Sequence, residues 1–223
     1  MLLLAGLASA AGAAGAAGPG ARPPAPVPLH GAAGQALLSD ALRVDHAPLS
    51  RYYERQRQAS WCGIASGAMV LNAGIGHRRW QQQTLYAAAP AATGGALRMR
   101  LYGLSLTRLA QLLREQGAEV EIHRAPTLSA LRALVTANLA HPGDYLIANY
   151  DRATLGQRGG GHISPVSAYA PAEDRVLLLD VADAGAHVPA WVRLADLQAA
   201  MGRAGGQTRG LLQVRPPARA ARR

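Results

Sequence analysis

Cys62, His162 and Asp180 are the residues whose types and surroundings point to chemistry. Cys62 is the single cysteine of the chain and opens an apolar stretch directly after Trp61. If that stretch is a helix, its unpaired N–H groups and its dipole favour a thiolate and lower the thiol pKa. Taken alone, Cys62 also suits a buried structural thiol. His162 follows Gly159, Gly160 and Gly161 in the run GGGHISP. The glycines let the backbone approach a neighbour closely, and the histidine begins the strand after them. A nucleophilic cysteine needs a base near it in space, not in sequence. Asp180 ends the run VLLL, where a carboxylate is out of place without a partner. If the strands around His162 and before Asp180 pair as a hairpin, the carboxylate can accept the imidazole N–H. It would then fix the tautomer and stabilise the imidazolium. The alternative is a turn residue at a strand end. Gln56 lies six residues before Cys62. Its amide can donate to an oxyanion beside the backbone N–H of Cys62. Flanked by Arg55, Arg57 and Gln58, it equally suits a solvated segment.

Other chemistries fit less well. Asp180, Asp183 and His187 could approach one another around a metal, but their spacing matches no regular ligand pattern. A single cysteine excludes an internal disulfide and a Cys-rich zinc site. Gly94-Gly95 and Gly205-Gly206 lack the Lys-Ser/Thr that completes a phosphate-binding loop, and a serine-hydrolase elbow is missing.

These residues need elements to hold them. Residues 62–73 read as a largely apolar, buried helix ended by Gly74 and Gly76. Residues 105–116 give an amphipathic helix, with Leu106, Leu109, Leu112 and Leu113 on one face and Gly117 as its stop. Residues 119–123 form a short strand, and residues 127–140 a helix with Thr127 as N-cap. Strands are expected at 144–150, 162–169 and 175–181, the last two joined by a turn at Pro171. A short helix at 194–201 and a closing strand at 209–214 follow. Helices come first and strands last, which predicts an α+β fold with an antiparallel sheet towards the C-terminus. The expected organisation is an Ala/Gly/Pro-rich leader over residues 1–34, a catalytic domain over 35–215 and a basic tail over 216–223.

The chain has 223 residues, 49% of them hydrophobic and 16% charged, a composition that excludes a disordered chain. The formal charge is +10, from 23 basic residues against 13 acidic ones, and every cation is an arginine. Lysine and phenylalanine do not occur, while Ala, Gly, Pro and Arg abound. That is the pattern of a GC-rich bacterial coding bias. The arginines are scattered and cluster only near the C-terminus, without interleaved aromatic residues, so a nucleic-acid partner is not expected. The body of the chain contains no apolar run of about 20 residues, the length of a membrane span. The leader contains small-residue sites such as Ala8-Ser9-Ala10, as in a secretory signal. The expected location is therefore periplasmic or secreted, and cytoplasmic if the leader is not one.

The order Gln, Cys, His, Asp is that of papain-like cysteine peptidases. Residues 56–72 (QRQASWCGIASGAMVLN), Asn149-Tyr150, residues 156–169 (GQRGGGHISPVSAY), LLDV at 178–181 and PAWV at 189–192 together resemble phytochelatin synthase. The likeness runs from Gln56 to Val214. It implies a papain-like fold acting on glutathione, with Cys62 as nucleophile, His162 as general base and acid, Asp180 as orienter and Gln56 in the oxyanion hole. It also implies substrate contacts at Gly161, Ser164 and Arg209, the last binding a carboxylate. No organic cofactor is implied. Heavy-metal ions such as Cd²⁺ or Zn²⁺ would enter as glutathione thiolates, as part of the substrate. The oligomeric state is left open, a homodimer included. After its Asp the family carries an Arg and a Lys-Tyr-Pro-Pro run. Residues 183–189 here lack those basic groups and are one residue longer. A second, anionic glutathione would be held poorly there, so hydrolysis to γ-Glu-Cys is expected to outweigh transfer. Two rivals stand beside this reading: a papain-fold peptidase or amidase with another substrate, and a basic binding protein whose cysteine is structural.

Overall fold

The computed structural model describes residues 23–182, 188–204 and 207–217. The elements run β1 (Val27–Pro28), α1 (Ala32–Ser39), α2 (His46–Arg51), α3 (Cys62–Ile75), α4 (Gln82–Ala88), the single turn α5 (Pro90–Thr93), α6 (Ala96–Tyr102) and α7 (Leu106–Glu115). Then come β2 (Glu119–Arg124), α8 (Leu128–Ala140), β3 (Tyr145–Asp151), β4 (Gly161–Ala170), β5 (Arg175–Leu178), β6 (Ala190–Arg193) and α9 (Leu194–Ala200). The hairpin strands β7 (Arg203–Ala204) and β8 (Gln207–Thr208) precede β9 (Gly210–Arg215).

Local chemistry accounts for the long helices. Ser105 caps α7 by accepting from the Arg108 N–H at 3.3 Å, and Thr127 caps α8 by accepting from Ala130 at the same distance. Helix α3 runs on to Ile75 and stops where Gly76 turns to φ 76°, a left-handed conformation that suits glycine. The Asn72 side chain then accepts from the N–H groups of Arg79 and Trp80 and donates to the Trp80 carbonyl, which fastens the exit loop.

The fold is α+β. Seven strands form one sheet in the order β1-β6-β5-β4-β3-β9-β2, every neighbouring pair antiparallel. Both faces are covered, so alternate strand residues serve two cores. Ile147, Ile163, Leu177 and Leu212 face α3 and α7, whereas Leu146, Ala148, Val166 and Leu211 face α8 and α9. That double burial explains why β3 and β4 read as nearly continuous apolar runs rather than alternating ones.

Three boundaries differ from the sequence expectation. The run 175–181 does not stay in the sheet: β5 ends at Leu178. Leu179 still donates to the Pro165 carbonyl at 2.9 Å, but Pro165 has no N–H to return, and β4 is irregular between Val166 and Ala168. The ladder stops there and Asp180 leaves the strand. The domain also begins before residue 35. Strand β1 pairs with β6, Leu29 N–H donates to the Pro189 carbonyl at 2.8 Å, and the buried Trp191 indole donates to the Gly34 carbonyl at 3.0 Å. At the other end Pro216 is buried against Gly74 of α3, so the tail starts later than residue 216. The proposed export segment falls on residues 1–22, outside the described residues, as do residues 218–223 of the tail. No described helix is long and apolar enough to cross a membrane.

A chain starting at Gln35 should therefore melt below one starting at residue 23. It loses the β1 pairing, the buried Leu29 and the acceptor of Trp191. Those losses sum to a few kcal/mol, or roughly 5–10 °C for a domain of this size. Thermal unfolding followed by circular dichroism measures it, and equal midpoints would show that β1 contributes no stability.

Candidate active site

Cys62 is the first residue of α3 and is half-buried. Trp61 before it stacks on Tyr86, centroids 5.0 Å apart and planes inclined by 22°, which anchors this end of the helix. The Ser66 hydroxyl, one turn further on, donates to the Ile163 carbonyl at 3.1 Å and fastens α3 to β4. The thiol lies beside the His162 ring and the backbone N–H groups of Gly63 and Ile163, all of which favour its ionised form. Cysteine and histidine thus meet across the seam between a helix and a sheet.

His162 is the second residue of β4 and is paired in register with Tyr150 of β3. The Tyr150 ring lies edge-on to the imidazole, centroids 5.8 Å apart at 77°. Asp180 sits 3.0 Å from Nε2 of His162 through its Oδ1, which leaves Nδ1 for the thiol. The same Oδ1 accepts from Arg152 Nη2 at 2.7 Å and from the Ala182 N–H at 2.9 Å. Tyr53 OH donates to the Asp180 carbonyl and Gln56 N–H to the Val181 carbonyl, both at 2.6 Å. These bonds zip the 53–56 segment to the stretch that holds the carboxylate.

Burial resists ionisation of all three groups, but their mutual contacts outweigh it. Burial pushes the Cys62 thiol up; the His162 hydrogen bond and charge, with the Ile163 and Gly63 N–H groups, bring it below an ordinary thiol. Burial lowers His162, and the Asp180 and Cys62 hydrogen bonds and charges raise it above an ordinary imidazole. Burial raises Asp180, but the His162 bond and charge, the Arg152 guanidinium and the Ala182 N–H bring it down to about 2. The arrangement favours a thiolate–imidazolium pair oriented by a carboxylate.

A cleft of about 520 Å³ opens over Cys62 and His162, within the range of small-molecule sites. Asn149, Gly161 and Arg209 line its sheet side, and Arg98, Arg100 and Tyr102 of α6 its helical side. No acidic side chain lines it among the described residues. Arg209 is held by Asn149 Oδ1 at 3.2 Å and lies 3.9 Å from Asp151. It covers Gly161 so closely that a Cβ there would stand 2.5 Å from its Nη1, so a larger residue would displace the guanidinium from this position. A hollow of about 570 Å³ lined by Gly74, Gly117, Tyr145 and Pro216 lies elsewhere; its charged walls, Glu119 and Arg215, pair with each other at 3.0 Å, and neither cysteine nor histidine lines it.

Two implied site residues sit differently from expectation. Ser164 is fully buried, its Oγ 3.3 Å from Tyr150 OH, and does not line the cleft. It shares a strand face with His162 but lies two residues further into β4, paired with Ala148 of β3 and enclosed. Gln56 is buried outside the cleft lining; its amide donates to the carbonyls of Gln58 at 3.0 Å and Ala59 at 2.7 Å, shaping the loop before Cys62. Asp183 and His187 lie outside the described residues. Among the described residues no group of three His, Cys, Asp or Glu side chains is placed to hold a metal.

The structure also adds residues that sequence reasoning passed over. Arg152 is buried and charged, and only its position after β3 reveals that it faces Asp180. Pairing the 144–150 and 162–169 runs as a hairpin would have placed Tyr150 opposite His162. The α6 arginines gave no signal, because nothing local ties them to Cys62.

Two expectations follow from the charge network. Alkylation of Cys62 by iodoacetamide should reach half its maximal rate below the pH of an ordinary thiol, and His162→Ala should move that midpoint upwards. A midpoint near 8.5, the ordinary value, in the unsubstituted protein would remove the ion pair. Asp180→Asn should lower turnover by about 10²–10⁴-fold. The folded Asp180 pKa is depressed, so its contribution to stability is complete above the ordinary carboxylate value. It is lost as pH falls from there through about 2. Acid unfolding of Asp180→Asn should accordingly show a weaker pH dependence in that window. An unchanged acid transition would remove the carboxylate from the stabilising network.

A family model described as phytochelatin synthase matches residues 21–211. Glutathione gamma-glutamylcysteinyltransferase 3 of Lotus japonicus is 32% identical over 179 residues, 74% of this chain and 36% of that protein. Glutathione gamma-glutamylcysteinyltransferase 1 of Triticum aestivum is 30% identical over 209 residues, 86% of this chain and 41% of that protein. The protein of the same name from Arabidopsis thaliana is 29% identical over 215 residues, 88% of this chain and 43% of its own length. The chain thus spans well under half the length of these relatives. The α+β fold, with its antiparallel sheet, is consistent with the papain-like domain that the sequence motifs imply. With the family model matched over most of its length, the chain belongs to the phytochelatin synthase family.

Proposed function

We propose that this chain cleaves the Cys–Gly bond of glutathione through a γ-glutamylcysteinyl thioester on Cys62. The observation that carries the reading is the Cys62–His162–Asp180 geometry at the floor of a cleft lined by arginine and by no acidic side chain among the described residues. A substrate that is anionic at both ends suits such a cleft, and a cationic peptide does not. The curated relatives carry names that describe transfer of the same acyl group.

The Cys62 thiolate attacks the cysteinyl carbonyl carbon of γ-Glu-Cys-Gly. Negative charge develops on the carbonyl oxygen beside the N-terminus of α3, where backbone N–H groups are available. Gln56 enters this step only if its amide exchanges a bond to Gln58 or Ala59 for one to the oxyanion. The imidazolium of His162 gives its Nδ1 proton to the departing glycine nitrogen, and the C–N bond breaks. Asp180 keeps Nε2 protonated and steadies the ring throughout. Arg209, tethered by Asn149, receives one substrate carboxylate. Neutral His162 then takes a proton from water, which attacks the thioester and releases γ-Glu-Cys and the Cys62 thiolate. Attack by the amine of a second glutathione gives the phytochelatin dimer instead. Water is the main acceptor, because residues 183–189 contain neither arginine nor lysine to hold a second glutathione, only a weakly attracting His187. Cd²⁺ or Zn²⁺ takes part as the glutathione thiolate, as substrate.

Incubation with millimolar glutathione, with and without Cd²⁺, followed by mass spectrometry, tests the proposal. Release of glycine with γ-Glu-Cys as the larger product is expected, and Cys62→Ala should release no glycine. No glycine from the unsubstituted protein in either condition would overturn the reading. A dimer exceeding γ-Glu-Cys would reverse the assignment of water as main acceptor.

A further inference from the structure

Helix α6 is the one cleft wall that the thioester chemistry above leaves without a role. It ends against the active-site loop: a Cβ at Gly103 would stand 3.0 Å from the Ser60 carbonyl oxygen, and Leu104 lies 3.2 Å from where Gly63 would carry one. Arg98 donates to the Gly103 carbonyl at 3.1 Å and holds this turn in shape. Arg100 is exposed, lines the cleft, and forms no ion pair with an acidic side chain among the described residues. Beside it Leu101 and Tyr102 are 59% and 75% exposed at the cleft mouth. Side by side at the cleft mouth, these apolar side chains and the uncompensated cation offer one surface for a ligand with a carbon chain and a carboxylate.

We propose that Arg100, flanked by Leu101 and Tyr102, is the carboxylate subsite for the acceptor in transfer, supplying from α6 the positive charge missing after Asp180. The inference rests on the glutathione reading. The donor's carboxylate is held on the sheet side by Arg209, so a second dianionic molecule needs a cation on the helical side. Held there, it enters as the free amine. Its nitrogen forms the new amide bond to the thioester carbonyl carbon while the C–S bond to Cys62 breaks. The thiolate stays on Cys62, and the surplus proton of the nitrogen passes to His162. Tyr102 and Leu101 cover the acceptor's carbon chain, but on so open a surface the acceptor is held weakly and water remains the commoner nucleophile.

The test is the ratio of phytochelatin dimer to γ-Glu-Cys, measured per glycine released, in the unsubstituted protein and in Arg100→Gln, Arg100→Lys and Tyr102→Ala. An exposed charge pair is worth at most about a factor of five. Arg100→Gln should cut the ratio by about three- to fivefold, with Arg100→Lys in between, since lysine keeps the charge without the fork. Added salt should lower the ratio in the unsubstituted protein more than in Arg100→Gln. Tyr102→Ala should lower the ratio as well. An unchanged ratio in Arg100→Gln, whether or not glycine release falls, overturns the proposal, as does an unsubstituted protein that releases glycine but forms no dimer. Absence of glycine release altogether strikes instead at the glutathione reading.

Discussion

One buried carboxylate holds the site together. Asp180 is almost fully enclosed, and a charge so placed persists only if its partners are fixed. Its Oδ1 accepts from His162, Arg152 and the Ala182 N–H, so a single oxygen joins the head of β4, the turn after β3 and the segment after β5. The imidazole takes its orientation and tautomer from that oxygen, and the thiol takes its depressed pKa from the imidazole. Removing the carboxylate would leave Arg152 and His162 as two cations close together, and each would disfavour the other.

Cys62 comes from the helical side of the domain and His162 from the sheet, so their contact depends on how the two layers meet. Small residues allow that approach. A Cβ at Gly63 would stand within about 3.3 Å of Leu104 and Ile163, and the Ser66 hydroxyl bonds to the Ile163 carbonyl. The twelve buried residues of α3 make this helix the centre of the larger core, and its rigidity becomes the rigidity of the nucleophile. Gly161 serves the other side, since only hydrogen there allows Arg209 to lie across the start of β4.

The charge of the chain takes on local meaning in the cleft. A net charge of +10 borne by arginine alone states nothing about a partner when it is spread over the surface. Three of those arginines converge on one cleft whose described lining has no acid. Their planar, permanently charged forks suit carboxylates. Walls so equipped make the cleft electrostatically suited to carboxylates.

The sequence by itself determined the elements with strong local codes. Helices α7 and α8 carry leucine periodicity and Ser or Thr caps, and α3 carries an apolar run closed by glycine, so local rules located them. Strands β3, β4 and β9 show as apolar runs bounded by turn residues. The types of Cys62, His162 and Asp180, each in an unusual local setting, also marked them out. Helices α1, α2 and α4 to α6 went unseen because four to eight residues hold too few turns for a periodic pattern, and β1 and β6 because two to four residues hold too little alternation. Only the tertiary structure decided that β9 inserts between β3 and β2, a matter of long-range pairing that no local code specifies. It likewise decided that Ser164 lies beneath the site rather than in it, since strand alternation fixes a face but not a depth. The proline at 165 and the irregularity after Val166 released Asp180 from the ladder. That release let its carboxylate meet Arg152 and His162, because a side chain at the end of a strand can turn where one within the sheet cannot.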